Sequence, residues 1–349
     1  MVGDYHFRNL VFEGGGVKGV AYVGVLRELR KREILRNIDR IGGASAGAIN
    51  AVLLATGHGQ RETTELLLDL NFKNFLDDDW GIARDTRRLM RNYGWYKGDF
   101  FRDWMGKRIK AKTGDADATF ADLQTLRMKD LYLIVTNLST GFSEVKSAEH
   151  TPDMPVADAV RMSMSIPLFF ASKRNRRKDV FVDGGVLNNY PIKVFDREQY
   201  IDPEILKQHG LNTDYYQRDN ARTASKSSPY CYNKETLGFR LDTKEEIALF
   251  RDGVQPQARK IEHFFDYGWA LFQALMNVQN SAHLHSDDWQ RTIYVDTLGV
   301  GTTDFELSDT KKKKLIRSGA DAVINYFDWY DKTRGKTLPN NHPRFKLKN

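Results

Sequence analysis

A serine between two glycines constrains the fold of this chain most strongly. Ser45 stands at the centre of the pattern Gly-x-Ser-x-Gly, with Gly43 two positions before it and Gly47 two positions after it. Such glycines let a buried strand turn sharply into a helix, with the serine hydroxyl presented at the helix N-terminus. The small apolar residues 46–56 predict that helix. Taken alone, the pattern suits a nucleophile and an ordinary helix-capping serine equally well.

A glycine-rich turn lies between a predicted strand at residues 10–12 and a predicted helix at residues 20–31. Turns of this kind aim backbone N–H groups at an anion beside a helix N-terminus. One interpretation is an oxyanion hole, in which the amides of Gly14, Gly15 and Gly16 stabilise an intermediate formed at the serine. A structural interpretation, in which the glycines only permit a tight turn, also stays open.

The same turn fits a dinucleotide-binding site of an oxidoreductase, because its spacing is Gly14-x-Gly16-x-x-Gly19. An acidic residue, Asp39, follows about 20 residues later, as that motif requires. However, Asp39 precedes the second predicted strand, whereas a ribose-binding acid should end it. The dinucleotide interpretation is therefore the weaker one.

A carboxylate ends another predicted strand, at residues 180–182. Asp183 follows that strand and is itself followed by Gly184 and Gly185, which release the chain. Strand ends of this kind carry the sites of open α/β sheets, so Asp183 is a candidate base. Asp296 is the competing candidate, although no glycine pair follows it. None of the eight histidines occupies a recognisable strand-end position.

The charge of the chain favours an anionic partner. Lysine and arginine number 53 against 46 acidic residues, a formal net charge of +7. This excess suits a phospholipid surface, nucleic acid or simple solubility. One basic cluster is either a solvated turn or a contact for anionic lipid headgroups; it comprises Lys173, Arg174, Arg176 and Arg177. The aromatic helix predicted at residues 261–276 suggests core packing or insertion at a bilayer interface.

Other sequence features limit the chemistry and the location. Cys231 is the only cysteine, so we expect no internal disulfide and no cysteine-rich metal site. Neither a signal-peptide h-region nor a run of about 18 apolar residues is present. We therefore expect a cytoplasmic or peripheral membrane protein, with any export by a route other than a cleaved signal.

We expect one α/β hydrolase domain over residues 8–330 and a tail over residues 331–349. Within the domain, residues 58–128 are predicted to form a helical insertion that caps the site. Residues 196–236 read as a long polar loop, and residues 237–241 as an edge strand.

Four motifs in a fixed order resemble the patatin-like phospholipase family. They are the glycine turn from Gly14 to Gly19, the elbow Gly43-Ala44-Ser45-Ala46-Gly47, the segment Ser163-Met164-Ser165-Ile166-Pro167, and Asp183-Gly184-Gly185. The resemblance implies a three-layer α/β/α fold with a mainly parallel central sheet and helical insertions near the active site. It also implies a Ser–Asp dyad instead of a triad.

On this resemblance, Asp183 is the general base for Ser45, and the reaction is acyl hydrolysis of a phospholipid or lysophospholipid ester. We expect no cofactor, metal or nucleic acid. We do expect contact with a membrane surface. Two rivals stay open: a dinucleotide-binding oxidoreductase, and a membrane-binding module without catalytic activity.

Overall fold

The computed structural model describes residues 5–70, 89, 91, 93–222, 228–243, 260–284, 287–302 and 304–333. Its strands are β1 (Asn9–Phe12), β2 (Arg40–Ala44), β3 (Gly94–Tyr96), β4 (Asp130–Asn137), β5 (Phe142–Lys146), β6 (Leu168–Phe170), β7 (Lys173–Arg174), β8 (Val180–Asp183), β9 (Thr236–Asp242) and β10 (Thr292–Asp296). The main sheet has the order β10-β9-β1-β2-β4-β8-β7, and β5 also pairs with β4.

Most of this sheet is parallel. The five strands β10, β9, β1, β2 and β4 run in one direction, whereas β5 and β8 are antiparallel to β4, and β7 is antiparallel to β8. The predicted mainly parallel central sheet is confirmed. Outside it, β3 and β6 form a two-stranded parallel sheet.

Helices connect and cover these strands. They are α1 (Tyr22–Lys31), α2 (Ala46–Ala55), α3 (Gln60–Leu68), α4 (Asp99–Thr113), α5 (Phe120–Thr125), α6 (Val156–Ser163), α7 (Gly185–Asn188), α8 (Pro203–His209), α9 (Gln217–Asn220), α10 (Phe264–Leu284) and α11 (Asp309–Thr333). A 3₁₀ helix, Gly16–Ala21, precedes α1 directly.

The two faces of the sheet are buried by different segments. Along β1, Leu10 and Phe12 point into the larger core with the helices, whereas Val11 points to the opposite face. This alternation is the two-residue period of a strand. Residues 190–200 cover the opposite face, with Tyr190, Ile192, Phe195 and Tyr200 packed on Val11 and Tyr132. The predicted three-layer α/β/α architecture is thus observed.

The strand predicted at residues 237–241 is present, but the prediction that it lies at the edge of the sheet is wrong. β9 is fully buried and pairs in parallel with β1 on one side and β10 on the other. Gly238 permits this, because a Cβ there would lie 1.9 Å from Tyr190 Oη. Arg240 can be buried in β9 because Asp242 accepts its hydrogen bond at 2.7 Å.

The polar stretch at residues 196–236 is not an irregular loop where it is described. It contains α8 and α9, and Asp196 at its start is fully buried. Arg291 Nη2 donates to Asp196 Oδ2 at 2.8 Å and to Asp288 Oδ1 at 2.7 Å. This buried charge network fixes the stretch to the end of the sheet.

The described part of residues 58–128 contains the helices α3, α4 and α5, and also β3, which was not anticipated. α4 packs against both α2 and α6, and Phe101, Met105 and Ile109 of α4 are buried in the main core. The helix predicted at residues 82–91 lies outside the described residues, apart from Leu89 and Arg91.

The contact between α1 and α11 yields the first prediction. A Cβ on Gly24 would lie 1.8 Å from the Ile316 carbonyl oxygen, so Gly24→Ala must push the two helices apart. We expect it to lower the free energy of unfolding by about 1–3 kcal/mol in urea titrations. Gly59→Ala is the control, because the described residues leave the space around a Cβ there empty. Equal stability of the two variants would contradict this packing.

Candidate active site

The backbone of Ser45 has the shape of a nucleophile elbow. The residue follows β2, precedes α2, and has φ 50° and ψ −126°, a conformation that L-residues rarely adopt. Gly43 and Gly47 make the turn sterically feasible. A Cβ on Gly43 would lie 2.6 Å from the Gly47 carbonyl oxygen, and a Cβ on Gly47 would lie 2.3 Å from the Phe12 carbonyl oxygen.

Asp183 lies in the same region, although its strand β8 runs antiparallel to β2 and β4. The strand-end rule invoked for it applies to parallel strands, but β8 is antiparallel to β4 and pairs only with its last residues. Asp183 lies opposite Val135, one position along β4 from Ile134, which pairs with Ala44 of β2. Close packing of Gly184 on β4, where a Cβ would lie 2.2 Å from the Ile134 carbonyl oxygen, holds this loop against the sheet.

The Ser45 hydroxyl and the Asp183 carboxyl face each other in a buried space. Burial raises the pKa of Asp183 to about 7, while the hydrogen bond from the Gly185 amide and the closeness of the Ser45 hydroxyl lower it. The Gly185 amide donates to Oδ1 at 2.7 Å. Within the described ranges, Oδ2 has no hydrogen-bond partner, and the Ser45 hydroxyl donates instead to Met164 Sδ at 3.7 Å.

The segment around Met164 holds the backbone amides of both residues, a role that its sequence did not reveal. Ser163 Oγ accepts a hydrogen bond from the Ser45 amide at 2.9 Å and donates to the Ile134 carbonyl at 2.6 Å. Two residues on, the Ser165 carbonyl accepts from the Asp183 amide at 2.9 Å. One short segment therefore positions both the serine and the aspartate.

The glycine turn lies beside Ser45, since a Cβ on Gly14 would be 2.8 Å from Ser45 Cβ. The Gly14 amide is occupied, because it donates to the Asn189 carbonyl at 3.1 Å. By contrast, the amides of Gly15 and Gly16 donate to no acceptor in the described part of the chain. Of the three amides predicted for an oxyanion hole, only these two are available.

Asn189 and Glu13 clamp this turn to the loop after Asp183, and sequence reasoning missed both. Asn189 Nδ2 donates to Glu13 Oε1 at 3.1 Å and to the Gly14 carbonyl at 3.2 Å. Glu13 Oε2 also accepts from the Leu241 amide at 2.6 Å. Burial raises the pKa of Glu13, and the nearby Arg240 opposes that increase. The sequence did carry a signal, because Glu13 directly precedes one glycine motif and Asn188 and Asn189 closely follow the other.

The remaining candidates lie elsewhere. Asp296 ends β10, three strands from β2, and accepts from the Leu298 amide at 2.9 Å. Among the described histidine side chains none bonds to Ser45 or Asp183; the buried His58 contacts Thr56 at the far end of α2. The described residues also hold no cluster of three His, Cys, Asp or Glu side chains suited to a metal ion.

The basic cluster lies on the hairpin formed by β7 and β8. Lys173 is half-buried, 3.6 Å from Asp99, whereas Arg174 stacks its guanidinium 5.4 Å from the Tyr93 ring. Arg176 and Arg177 are exposed at the turn of the hairpin. No helix in the described ranges is long and apolar enough to cross a bilayer.

The model of the patatin-like phospholipase family matches residues 10–196, which is more than half of the chain and contains all four motifs. The chain belongs to this family. Patatin-like phospholipases are lipid ester hydrolases, so the dinucleotide interpretation is not supported. The geometry agrees, because Asp39 precedes β2 and forms an ion pair with Arg8 at 3.3 Å, at the end of β2 opposite the elbow.

Two relatives differ in how much they share with the chain. The uncharacterized protein YqhO of Bacillus subtilis is 29% identical over 322 residues, which cover 88% of this chain and 94% of that protein. The cGAMP-activated phospholipase of Escherichia coli is 26% identical over 201 residues, 53% of each chain. VipD of Legionella pneumophila has a similar fold, with a TM-score of 0.57 at 17% identity over 93% of this chain and 67% of VipD.

The raised pKa of Asp183 predicts a pH-dependent cost to stability in this patatin-like domain. Because the folded carboxyl binds its proton up to about pH 7 and the unfolded one only to about pH 4, folding stability falls as pH rises between these values. Asp183→Asn removes the buried charge. We expect it to raise Tm relative to wild type by a few degrees at pH 8, and by much less at pH 5.

Scanning calorimetry at both pH values measures that difference, with Asp296→Asn as the control. A difference in Tm between Asp183→Asn and wild type that does not change with pH would contradict the raised pKa.

Proposed function

We propose that the chain hydrolyses fatty acyl esters of phospholipids or lysophospholipids through an acyl-enzyme on Ser45, with Asp183 as the general base. The observation that carries the proposal is the pairing of a strained, buried serine with a buried carboxylate whose Oδ2 is unpartnered among the described residues. No histidine is needed. A dyad of this kind explains why a carboxylate is kept away from water beside a serine.

The proton path follows from the hydrogen bonds. The Ser45 hydroxyl rotates from Met164 Sδ to Asp183 Oδ2 and transfers its proton there as Oγ attacks the ester carbonyl carbon. The alcohol of the departing lysolipid or headgroup glycerol then takes the proton from Asp183. In the second half, Asp183 takes a proton from water as the water oxygen attacks the acyl carbonyl carbon. Asp183 then returns this proton to Ser45 Oγ as the bond between Oγ and the acyl carbon breaks, which releases the fatty acid and restores both residues.

Negative charge on the carbonyl oxygen of the intermediate needs donors that are already in place. The amides of Gly15 and Gly16 are the ones left open, at the start of the 3₁₀ helix Gly16–Ala21. Gly16 has φ 55°, and a Cβ there would lie 2.1 Å from the Thr302 carbonyl oxygen. Since a carboxylate is a weak base for a serine, these donors must supply much of the acceleration, and one such donor is typically worth about 10² to 10³ in rate.

Support for a lipid substrate comes from the family and from the exposed cations. Arg174, Arg176 and Arg177 lie on a hairpin whose second strand ends at Asp183, so an anionic headgroup bound there would approach the site. We propose that these residues, with Lys173, contact phospholipid headgroups. We also propose that residues 8–330 act as one hydrolase domain.

The first test is fatty acid release from mixed phospholipid vesicles by wild type, Ser45→Ala and Asp183→Asn. We expect Ser45→Ala to lose at least about 10⁴-fold in rate and Asp183→Asn to lose about 10² to 10⁴-fold. Asp296→Asn should keep wild-type activity, since it lies away from Ser45. Full activity of either dyad variant would show that the mechanism is wrong, and vesicle binding without hydrolysis by wild type would indicate a silent module.

The pH profile of kcat/KM gives a second test. Asp183 must be ionised to act as a base, and burial raises its pKa to about 7. We expect kcat/KM to fall about tenfold per pH unit below pH 7 and to level off above it. The measurement should use a water-soluble short-chain ester, so that vesicle properties do not change with pH. A flat profile from about pH 5 to pH 8 would be incompatible with Asp183 as the base.

A further inference from the structure

Helix α10 is clamped to the loop that carries Asp183. Gln279 Nε2 donates to the carbonyls of Gly185 and Val186 at 3.1 and 2.7 Å, and Gln279 Oε1 accepts from the Asn189 amide at 2.9 Å. One helical turn earlier, Met276 Sδ lies 3.2 Å from the position of a Cβ on Gly185. Any movement of α10 therefore acts on the residues next to the proposed base.

Another side of α10 presents an apolar stripe to solvent. We call Tyr267, Leu271 and Leu275 the outer stripe; their exposed fractions are 60%, 54% and 45%. The spacing of four residues puts them in one row, about 12 Å long. The inward side is already filled, because Phe272 is buried in the main core and a Cβ on Gly268 would meet Leu168 Cδ1 at 2.2 Å. The core therefore cannot bury the outer stripe without unpacking.

The outer stripe lies near the exposed cations. Leu168, which packs on α10, begins β6, and Lys173 follows five residues later, within about 17 Å of extended chain. The hairpin beyond it exposes four positive side chains: Arg174, Arg176, Arg177 and Lys178. Apolar residues beside a group of cations complement one surface in particular, a bilayer with anionic headgroups above acyl chains.

In this conformation the two catalytic candidates are largely covered. Ser45 is 5% exposed and Asp183 is 1% exposed, so little of either residue is open to a bulky bilayer lipid. Met164, which covers the hydroxyl, and Met276, which packs on the Asp183 loop, lie close to the two catalytic candidates. Of the two, only Met276 belongs to an element with a solvent-facing apolar row.

We propose that the outer stripe docks α10 on an anionic phospholipid bilayer, and that docking displaces α10 and opens the site. This rests on the proposed function, because it supplies the route by which a bilayer lipid reaches Ser45. Hydrolysis of a bilayer lipid is then coupled to docking, whereas hydrolysis of a small water-soluble ester reports the activity that does not need it.

A single-site fluorescence experiment tests the docking. Cys231 is buried, and burial raises the pKa of its thiol to about 12, so a thiol-reactive dye will label only a cysteine introduced at the surface. The variants are Leu271→Cys in the outer stripe and Leu126→Cys as a matched control, 54% and 47% exposed. Leu126 follows α5, just before β4 begins, and so lies at the opposite end of the sheet from the site.

Both variants carry Ser45→Ala, so that vesicles stay intact, and each is mixed with phosphatidylcholine vesicles with and without phosphatidylserine. We expect a blue shift of the dye, with quenching by a lipid-phase quencher, for Leu271→Cys on the anionic vesicles. The control should show neither. Equal signals from the two positions would overturn the proposal. A dye at position 271 that is already in apolar surroundings before vesicles are added would also overturn it, because a second copy or another segment would then cover the outer stripe.

The coupling to catalysis is measured separately, in the Ser45 background. We expect Leu271→Ser to lower the ratio of vesicle hydrolysis to soluble-ester hydrolysis by about tenfold, and Leu126→Ser to leave this ratio unchanged. An unchanged ratio in Leu271→Ser would overturn the proposal. Insertion of the dye without any hydrolysis by wild type would contradict the proposed function alone.

Discussion

The unusual backbone of Ser45 is the constraint around which the site is built. A residue at φ 50° and ψ −126° costs about 1–3 kcal/mol, so its surroundings must enforce it. Gly43 and Gly47 allow α2 to fold back on β2, and the Ser45 amide is held by Ser163. Loss of either restraint would let the turn relax. The hydroxyl would then move away from both the carboxylate and the glycine turn.

The second free-energy cost is the burial of a carboxylate away from water. Asp183 receives a hydrogen bond on Oδ1 from Gly185, whereas Oδ2 lacks a partner among the described residues. Burial favours the protonated form, which makes the ionised carboxylate a stronger base than an exposed aspartate. The fold therefore exchanges stability for basicity at this position. Polar links from Ser165, Asn189 and Gln279 hold the loop in spite of this cost.

Local sequence patterns predicted the elements that carry the chemistry. The strand, turn and helix around Ser45 depend on neighbouring residues, so Gly43 and Gly47 were sufficient to indicate them. Long-range partners were not accessible in the same way. Gly14 looked like an oxyanion donor until Asn189, 175 residues later, proved to occupy its amide. The interior position of β9 was missed because its polar residues, Arg240 among them, find buried partners only in the folded chain.

The mechanism requires that Ser45 forms the acyl-enzyme, and covalent trapping tests this step. The protein is treated with a lipid-like fluorophosphonate, which reacts with activated serines, and the adduct is located by peptide mass spectrometry. We expect one adduct, on the peptide that contains Ser45, and a much slower reaction when Asp183 is replaced by asparagine. An adduct on a different residue, or labelling of Ser45 at the same rate without the Asp183 carboxylate, would contradict it.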